Sequence, residues 1–279
     1  MKTKRAIELL REHEPPEGYY LAFSGGKDSI VCYDLLVKSG VKFDAHYNST
    51  TIDPPELLRY MKLNYPDVKW HYPTHKGKPT NYYKLIKQRG LPTMRHRWCC
   101  EVMKEGGGKG RLLIDGVRAA ESNKRAKRKK FEYFLNKYFY KKYKGVDLDQ
   151  SILDDLLIKK RAKKIVHIIF DWSNKDVWDY IRGSDLPYCS LYDHGWNRIG
   201  CIGCPLATAK SILRDFENYP VIKKNIIRAI QDAIDVKKYY TDFDGGAEEV
   251  FDWWVSKKSK ATWFAEKQQM KIEFDWYLI

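Results

Sequence analysis

The sequence predicts an α/β fold: a parallel, twisted sheet with helices on both faces, followed by a helical C-terminal extension. Three observations carry this. Short apolar or alternating runs at 19–23, 41–47, 68–72, 111–117 and 165–170 are separated by segments with helical spacing. That alternation is the pattern of parallel strands joined by right-handed crossovers. A glycine-rich string, Ser24-Gly25-Gly26-Lys27-Asp28-Ser29, stands between the first run and the first long helix, at a strand's carboxyl end where such sheets bind ligands. Residues 206–279 show only helical spacing, at Ile212, Phe216, Ile222, Ile226, Ile230 and Ile234, and end in a tryptophan-rich segment with Trp253, Trp254, Trp263 and Trp276.

Taken in order, residues 3–13 predict a short amphipathic helix, stopped by Pro15-Pro16-Glu17-Gly18. The strand Tyr19–Phe23 and the glycine-rich turn follow. Such a turn aims backbone N–H groups and the positive end of a helix at one point, which suits an anion. Gly25 and Gly26 allow close backbone approach, Lys27 adds charge, and Ser24 and Ser29 add hydroxyls. An ordinary strand-to-helix turn is the plainer reading of two glycines. The Gly-x-x-x-x-Gly-Lys-Ser/Thr spacing of a Walker A loop is absent.

The second strand ends in Asn48-Ser49-Thr50-Thr51, well placed to meet a nucleotide, and Asp53-Pro54-Pro55-Glu56 starts a helix. After the third strand, residues 81–90 predict a helix, and Arg95-His96-Arg97-Trp98-Cys99-Cys100 follows. The fourth strand leads into Arg118-Ala119-Ala120-Glu121-Ser122-Asn123-Lys124-Arg125. Between 123 and 144 there are ten Lys and Arg against one acid, Glu132, interleaved with Phe131, Tyr133, Phe134, Tyr138, Phe139, Tyr140 and Tyr143. Cations among stacking rings suit nucleic acid; a helix with an aromatic inner face and solvated lysines is the alternative. The organisation expected is a nucleotide-binding core over 1–205, with a basic helical insert at 123–163, and a helical extension over 206–279.

The 279 residues carry 51 Lys and Arg against 36 Asp and Glu, a net charge of +15, which favours a polyanionic partner or substrate. No apolar run of about twenty residues is present to span a membrane. The basic N-terminus meets Glu8, Arg11, Glu12 and Glu14 where a signal peptide needs apolar residues. The expectation is a cytoplasmic protein with no membrane partner, whose six cysteines serve as metal ligands, catalytic groups or core.

Cys99-Cys100 and Cys201-x-x-Cys204 form two pairs. A C-x-x-C turn directs two thiolates to one point, and four thiolates complete a tetrahedral or cluster site. Adjacent cysteines diverge, which strains a single zinc ion and suits a larger iron–sulfur cluster; zinc is the second choice. Cys32 lies on an apolar helix face, and Cys189 is either a structural thiol or a nucleophile.

Together these motifs resemble the adenylylsulfate and phosphoadenylylsulfate reductase family of the adenine-nucleotide α-hydrolase superfamily. The resemblance rests on Ser24 to Ser29, Cys99-Cys100, Gly116 to Arg125, Asp171 to Ile181 (Asp-Trp-x-x-x-Asp-Val-Trp-x-Tyr-Ile) and Leu186 to Cys204, with Trp196 where the family usually has Tyr. It covers about residues 19–205. It implies that Ser24, Gly25, Gly26, Lys27, Asp28 and Ser29 cradle phosphates, that Arg118 and Arg125 grip anionic oxygens, and that Ser49, Thr50 and Thr51 lie near the nucleoside. Lys27, Asp28 and Arg118 are the implied catalytic set. It further implies a 4Fe-4S cluster on Cys99, Cys100, Cys201 and Cys204 beside the nucleotide, and a thioredoxin-like reductant.

One departure opens a second expectation. The reductases attack sulfur with a cysteine in a C-terminal Glu-Cys-Gly-Leu-His segment, whereas here no cysteine follows Cys204. Relatives that keep the loop and cluster use ATP with Mg, adenylate a nucleic-acid oxygen and let a sulfur donor displace AMP. Net charge and the aromatic stretch at 123–144 agree with that alternative.

Overall fold

A computed structural model describes residues 1–135, 137–236 and 239–276. The strands are β1 (Tyr19–Ala22), β2 (Phe43–Asn48), β3 (Lys69–His71), β4 (Thr74–His75), β5 (Lys78–Pro79), β6 (Leu112–Ile114), β7 (Phe131–Leu135) and β8 (Ala162–Val166). Six of them form one sheet in the order β3-β2-β1-β6-β8-β7, and β4 and β5 form a separate ribbon. Every neighbouring pair in the large sheet is parallel except β7 with β8.

The chain divides into two compact units. The first comprises residues 1–49, 53–72 and 103–200; the second comprises 50–52, 73–102 and 201–279. The first holds the whole six-stranded sheet. Its central strand, β1, is short because Gly18 precedes it and the glycine-rich turn follows. Tyr19, Tyr20 and Leu21 are all buried, as expected where helices cover both faces of a parallel sheet. Leu21, Ile30, Val31, Leu35, Leu36, Ile114 and Val166 meet in one core, with Trp172 and with Val177 and Ile181 from the helix Asn174–Gly183. That helix starts with a capping box between Ser173 and Asp176, which satisfies two helix-end donors reciprocally.

Two local expectations change. Phe131–Leu135 is not part of a helical insert but the antiparallel edge strand of the main sheet, in register with Ala162–Val166. Phe131, Tyr133 and Leu135 alternate, and β-favouring side chains on a pleated surface outweigh the surrounding lysines. The strand expected at 165–170 starts and ends earlier: Phe170 N–H donates to His167 O and Trp172 N–H to Ile169 O, which closes turns after Val166.

The second unit is helical apart from the β4–β5 ribbon. It contains the helices Tyr82–Arg89, Ala209–Asn218, Pro220–Asp235, Gly246–Ser256 and Lys260–Trp276, and all but the last residue of Trp98–Met103. Ile226, Ala229, Ile230 and Ala233 form the buried stripe of the helix Pro220–Asp235. The segments bearing both cysteine pairs therefore group with the C-terminal helices. Residues 277–279 of the expected C-terminal segment lie outside the described residues. Among the described residues, no helix is long and apolar enough to cross a membrane.

Candidate functional site

In the first unit, the string Ser24–Ser29 forms the turn from the carboxyl end of β1 into the helix Lys27–Ser39, as its composition predicts. Gly25 sits at φ +70°, and a Cβ there would come within 2.5 Å of the Met61 sulfur. Only glycine meets both conditions. The turn is braced from inside. Ser24 N–H donates to Ser29 Oγ at 3.2 Å, and Ser29 Oγ donates to Gly26 O at 2.8 Å. The Ser24 and Ser29 hydroxyls are also 3.2 Å apart. Gly26 is the N-cap and Asp28 lies in the first helical turn.

Beneath the turn lies a charged trio. Arg118 Nε donates to Asp28 Oδ1 at 2.7 Å, and Lys27 Nζ is 3.4 Å from Asp28 Oδ2. Arg118 also donates to Trp172 O at 3.3 Å, and Lys27 Nζ to Asn197 O at 3.3 Å. Lys27 is 5% exposed and Arg118 3%. Two buried cations therefore face one carboxylate, which leaves the neighbourhood electropositive. Motifs far apart in the chain thus converge, since Arg118 comes from the exit of β6 and Trp172 from the segment after β8.

The other expected residues are placed differently. Arg125 pairs with Glu121 on its own turn, and Glu121 also accepts the Arg118 N–H at 3.0 Å. Ser49 is buried at the end of β2, its N–H donating to His71 O at 2.9 Å. Thr50 and Thr51 belong to the second unit, where Thr51 Oγ1 accepts the Tyr82 N–H at 2.9 Å. Two contacts were not foreseen. The Tyr192 hydroxyl accepts the Lys27 N–H at 2.9 Å, and His167 bridges Asp115, at 2.5 Å, and Glu132, at 3.2 Å. Tyr192 falls inside the Leu186–Cys204 motif, but a lone tyrosine among aromatic neighbours gave no sign of its partner.

All four paired cysteines lie in the second unit. Cys99 and Cys100 open the helix Trp98–Met103. Trp98 anchors it, fully buried, with its indole N–H donating to Gly90 O at 3.0 Å and its ring 5.4 Å from that of Tyr82. The Cys201–Cys204 turn is held by Ile202 N–H to Ile52 O, at 2.9 Å, and Gly203 N–H to Asp215 Oδ2, at 3.2 Å. Gly203 has φ +66°, and a Cβ would fall 2.4 Å from the Phe216 ring. The Cys99 thiol is pushed up, first by its hydrogen bond with Cys100, then by burial and by the charges of Cys100, Cys201 and Cys204. None of the six cysteines forms a disulfide. Among the described residues, no group of three or more His, Cys, Asp or Glu is set to hold one metal ion. The donor set still fits a thiolate-bound group: Tyr82 feels Cys99, Cys201 and Cys204, and its buried hydroxyl has no hydrogen-bond partner among the described residues.

Cys32 and Cys189 are 0% and 1% exposed. Burial raises both thiols, so both are core groups rather than ready nucleophiles.

A glycine-rich turn at the carboxyl end of a mostly parallel sheet, with Lys27 at the helix start, agrees with the adenine-nucleotide α-hydrolase superfamily. Residues 18–207 match the phosphoadenosine phosphosulfate reductase domain, and the chain belongs to that family. An uncharacterised protein of Methanocaldococcus jannaschii is 30% identical over 223 residues, covering 75% of this chain and 41% of that protein. The chain thus spans less than half the length of that relative. An adenosine 5'-phosphosulfate reductase of Staphylococcus epidermidis is 28% identical over 218 residues, covering 73% of this chain and 77% of that protein. A phosphoadenylyl-sulfate reductase structure from Candida auris, a phosphate complex, aligns with 70% of this chain and 87% of its own. Its identity is 16% and its TM-score 0.48.

Proposed function

We propose that this chain is a sulfonucleotide reductase-like enzyme that holds an adenine nucleotide by its phosphates at Ser24–Ser29. The observation that carries this is the braced turn over the buried Lys27–Asp28–Arg118 trio. Ser24, Gly25, Gly26 and Ser29 shape the cradle, and Ser49 and Arg125 are the wider nucleotide-binding set. Asp28 fixes both cations, so that Lys27 stays near the turn and stabilises the negative charge that grows on AMP as it leaves. Membership of the family supports adenylyl sulfate as the substrate.

Cys99, Cys100, Cys201 and Cys204 are the proposed ligands of a 4Fe-4S cluster. Where bound, such a group supplies redox capacity and a strong local field. The adjacency of Cys99 and Cys100 favours it over zinc, because neighbouring side chains diverge and strain a single small ion. Cys32 and Cys189 are buried, which leaves a thioredoxin-like reductant or a sulfur donor as a candidate source of the attacking sulfur.

One observation favours a second reading, AMP-forming sulfur transfer to DNA or tRNA with ATP and Mg. Tyr138 and Tyr140 on the helix Lys137–Lys142 are 69% and 60% exposed. Arg128 lies over Phe134 at 5.0 Å and Lys142 over Tyr143 at 5.2 Å. Such a surface offers stacking faces with charge to an unpaired strand. Anaerobically prepared protein, given adenylyl sulfate with thioredoxin or ATP with tRNA or DNA, tests both. Sulfite release in the first mixture alone supports the reductase. AMP and pyrophosphate in the second alone overturn it.

A further inference from the structure

A cavity of about 350 Å³ lies wholly within the second unit, and neither reading of the loop uses it. Trp253, Trp254, Ile212 and Pro205 supply apolar wall, and Arg95, Lys257 and Lys258 supply charge. None of its lining residues is acidic. Both indole N–H groups are already committed, Trp253 to Lys258 O at 3.0 Å and Trp254 to Pro92 O at 2.7 Å. Neither indole N–H is therefore free to act as a donor in this cavity.

The cations differ in how far they are neutralised. Lys258 pairs with Glu266 at 2.5 Å. Lys257 donates to a neutral carbonyl, Ala207 O, which leaves its charge uncompensated. Arg95 is exposed and forms no ion pair among the described residues. An apolar pocket with uncompensated cations and no acid selects a ligand with a flat body and an anionic group. Its size is at the lower end for ligand cavities, about 300–1,000 Å³, and suits one base with its phosphate.

We propose that this cavity binds a single nucleotide unit, with the base against the tryptophans and the phosphate toward Arg95 and Lys257. The free mononucleotide and an unpaired nucleotide of a strand share this chemistry. Part of the wall comes from segments next to the cysteine pairs. Thr93, Met94 and Arg95 precede Cys99, and Pro205 directly follows Cys204.

The test is tryptophan fluorescence and calorimetry on the full chain, with uridine 5'-monophosphate and, separately, a short single-stranded oligouridylate as probes. The monophosphate should quench fluorescence, and uridine without phosphate should bind about tenfold or more weakly. Arg95→Glu changes an exposed residue, and Lys257→Asn keeps a side chain that tolerates its φ of +62°. Each should weaken the monophosphate by about tenfold with an unchanged melting curve, while Lys27→Ala in the loop leaves that affinity intact. Oligouridylate binding tighter than the monophosphate, and lost in Arg95→Glu, identifies a strand as the source. Binding of the monophosphate alone identifies the free nucleotide. No quenching at millimolar monophosphate, equal binding of uridine, or loss in Lys27→Ala with retention in Arg95→Glu overturns the proposal.

Discussion

The Tyr192 hydroxyl accepts the backbone N–H of Lys27 at 2.9 Å. That N–H is the first of the helix Lys27–Ser39, and helix-start amides are the donors a phosphate takes. The ring is fixed edge-on to Trp178, with centroids 5.1 Å apart. Burial pushes its hydroxyl up, so it stays protonated. One N–H has one proton to donate, so a phosphate oxygen that takes it displaces the hydroxyl.

Tyr192→Phe should therefore tighten the binding of inorganic phosphate by about three- to tenfold, the worth of one net hydrogen bond. Calorimetry with the full chain reads this directly. Equal or weaker binding in the variant would mean that the hydroxyl bridges to the anion instead of competing with it.

Asp28→Asn should be among the most destabilising single changes in the first unit. It leaves Arg118, 3% exposed, and Lys27, 5% exposed, without their shared carboxylate. Breaking a buried pair from one side costs about 3–5 kcal/mol, because the remaining charge stays desolvated. Urea unfolding measures the loss. Adding Arg118→Gln to Asp28→Asn should cost less than the sum of the two single changes. A loss for Asp28→Asn below about 1 kcal/mol would place the trio among solvent-screened pairs.

Much of this arrangement is legible in the chain, and the limits are physical. β1 and its turn are visible because a short apolar run meets Ser24-Gly25-Gly26-Lys27, a local signal. Cys99-Cys100 and Cys201-x-x-Cys204 are visible as donor sets for the same reason. β7 was obscured because the lysines around Phe131–Leu135 dominate its composition, while its pairing partner lies some thirty residues on. The contacts of Lys27 with Tyr192 and of Arg118 with Asp28 depend on how the chain returns to the sheet, at separations of 165 and 90 residues. No local pattern encodes those.

Tyr82 carries the third prediction. Its hydroxyl is buried without a partner among the described residues, in the charge environment of Cys99, Cys201 and Cys204. An unsatisfied buried donor costs about 1–3 kcal/mol. In protein prepared without metal, Tyr82→Phe should leave the melting temperature unchanged or raise it. In protein carrying the proposed cluster, a hydroxyl donating to sulfur raises the reduction potential, so Tyr82→Phe should lower it. Redox titration followed by absorbance measures the shift. An unchanged potential would remove Tyr82 from the surroundings of the cluster.

His46 makes the first unit sensitive to mild acid. Its Nδ1 lies 2.7 Å from His71 Nε2 and its Nε2 lies 2.8 Å from Asp44, with Tyr20 stacked on the ring at 3.9 Å. Burial lowers the His46 pKa; Asp44 opposes this, and the charges of His71 and Lys69 add to it. Burial would raise Asp44, but hydrogen bonds from Arg111, Lys69 and His46 hold it well below the usual carboxylate range. Asp44 therefore stays ionised in mild acid, and the slope there belongs to the His46 imidazole. The folded state keeps His46 neutral, while the unfolded chain takes a proton near the ordinary value of about 6.5. The stabilisation is complete above that value and is lost as pH falls through the lowered folded pKa. Melting temperature should be level from about pH 8 to about pH 7 and fall toward about pH 5. His46→Gln should melt lower at neutral pH but with a shallower fall, and His71→Gln, which removes a charge that lowers the His46 pKa, should shrink the fall and end it at less acid pH. An identical slope in all three proteins would assign the acid sensitivity to other groups.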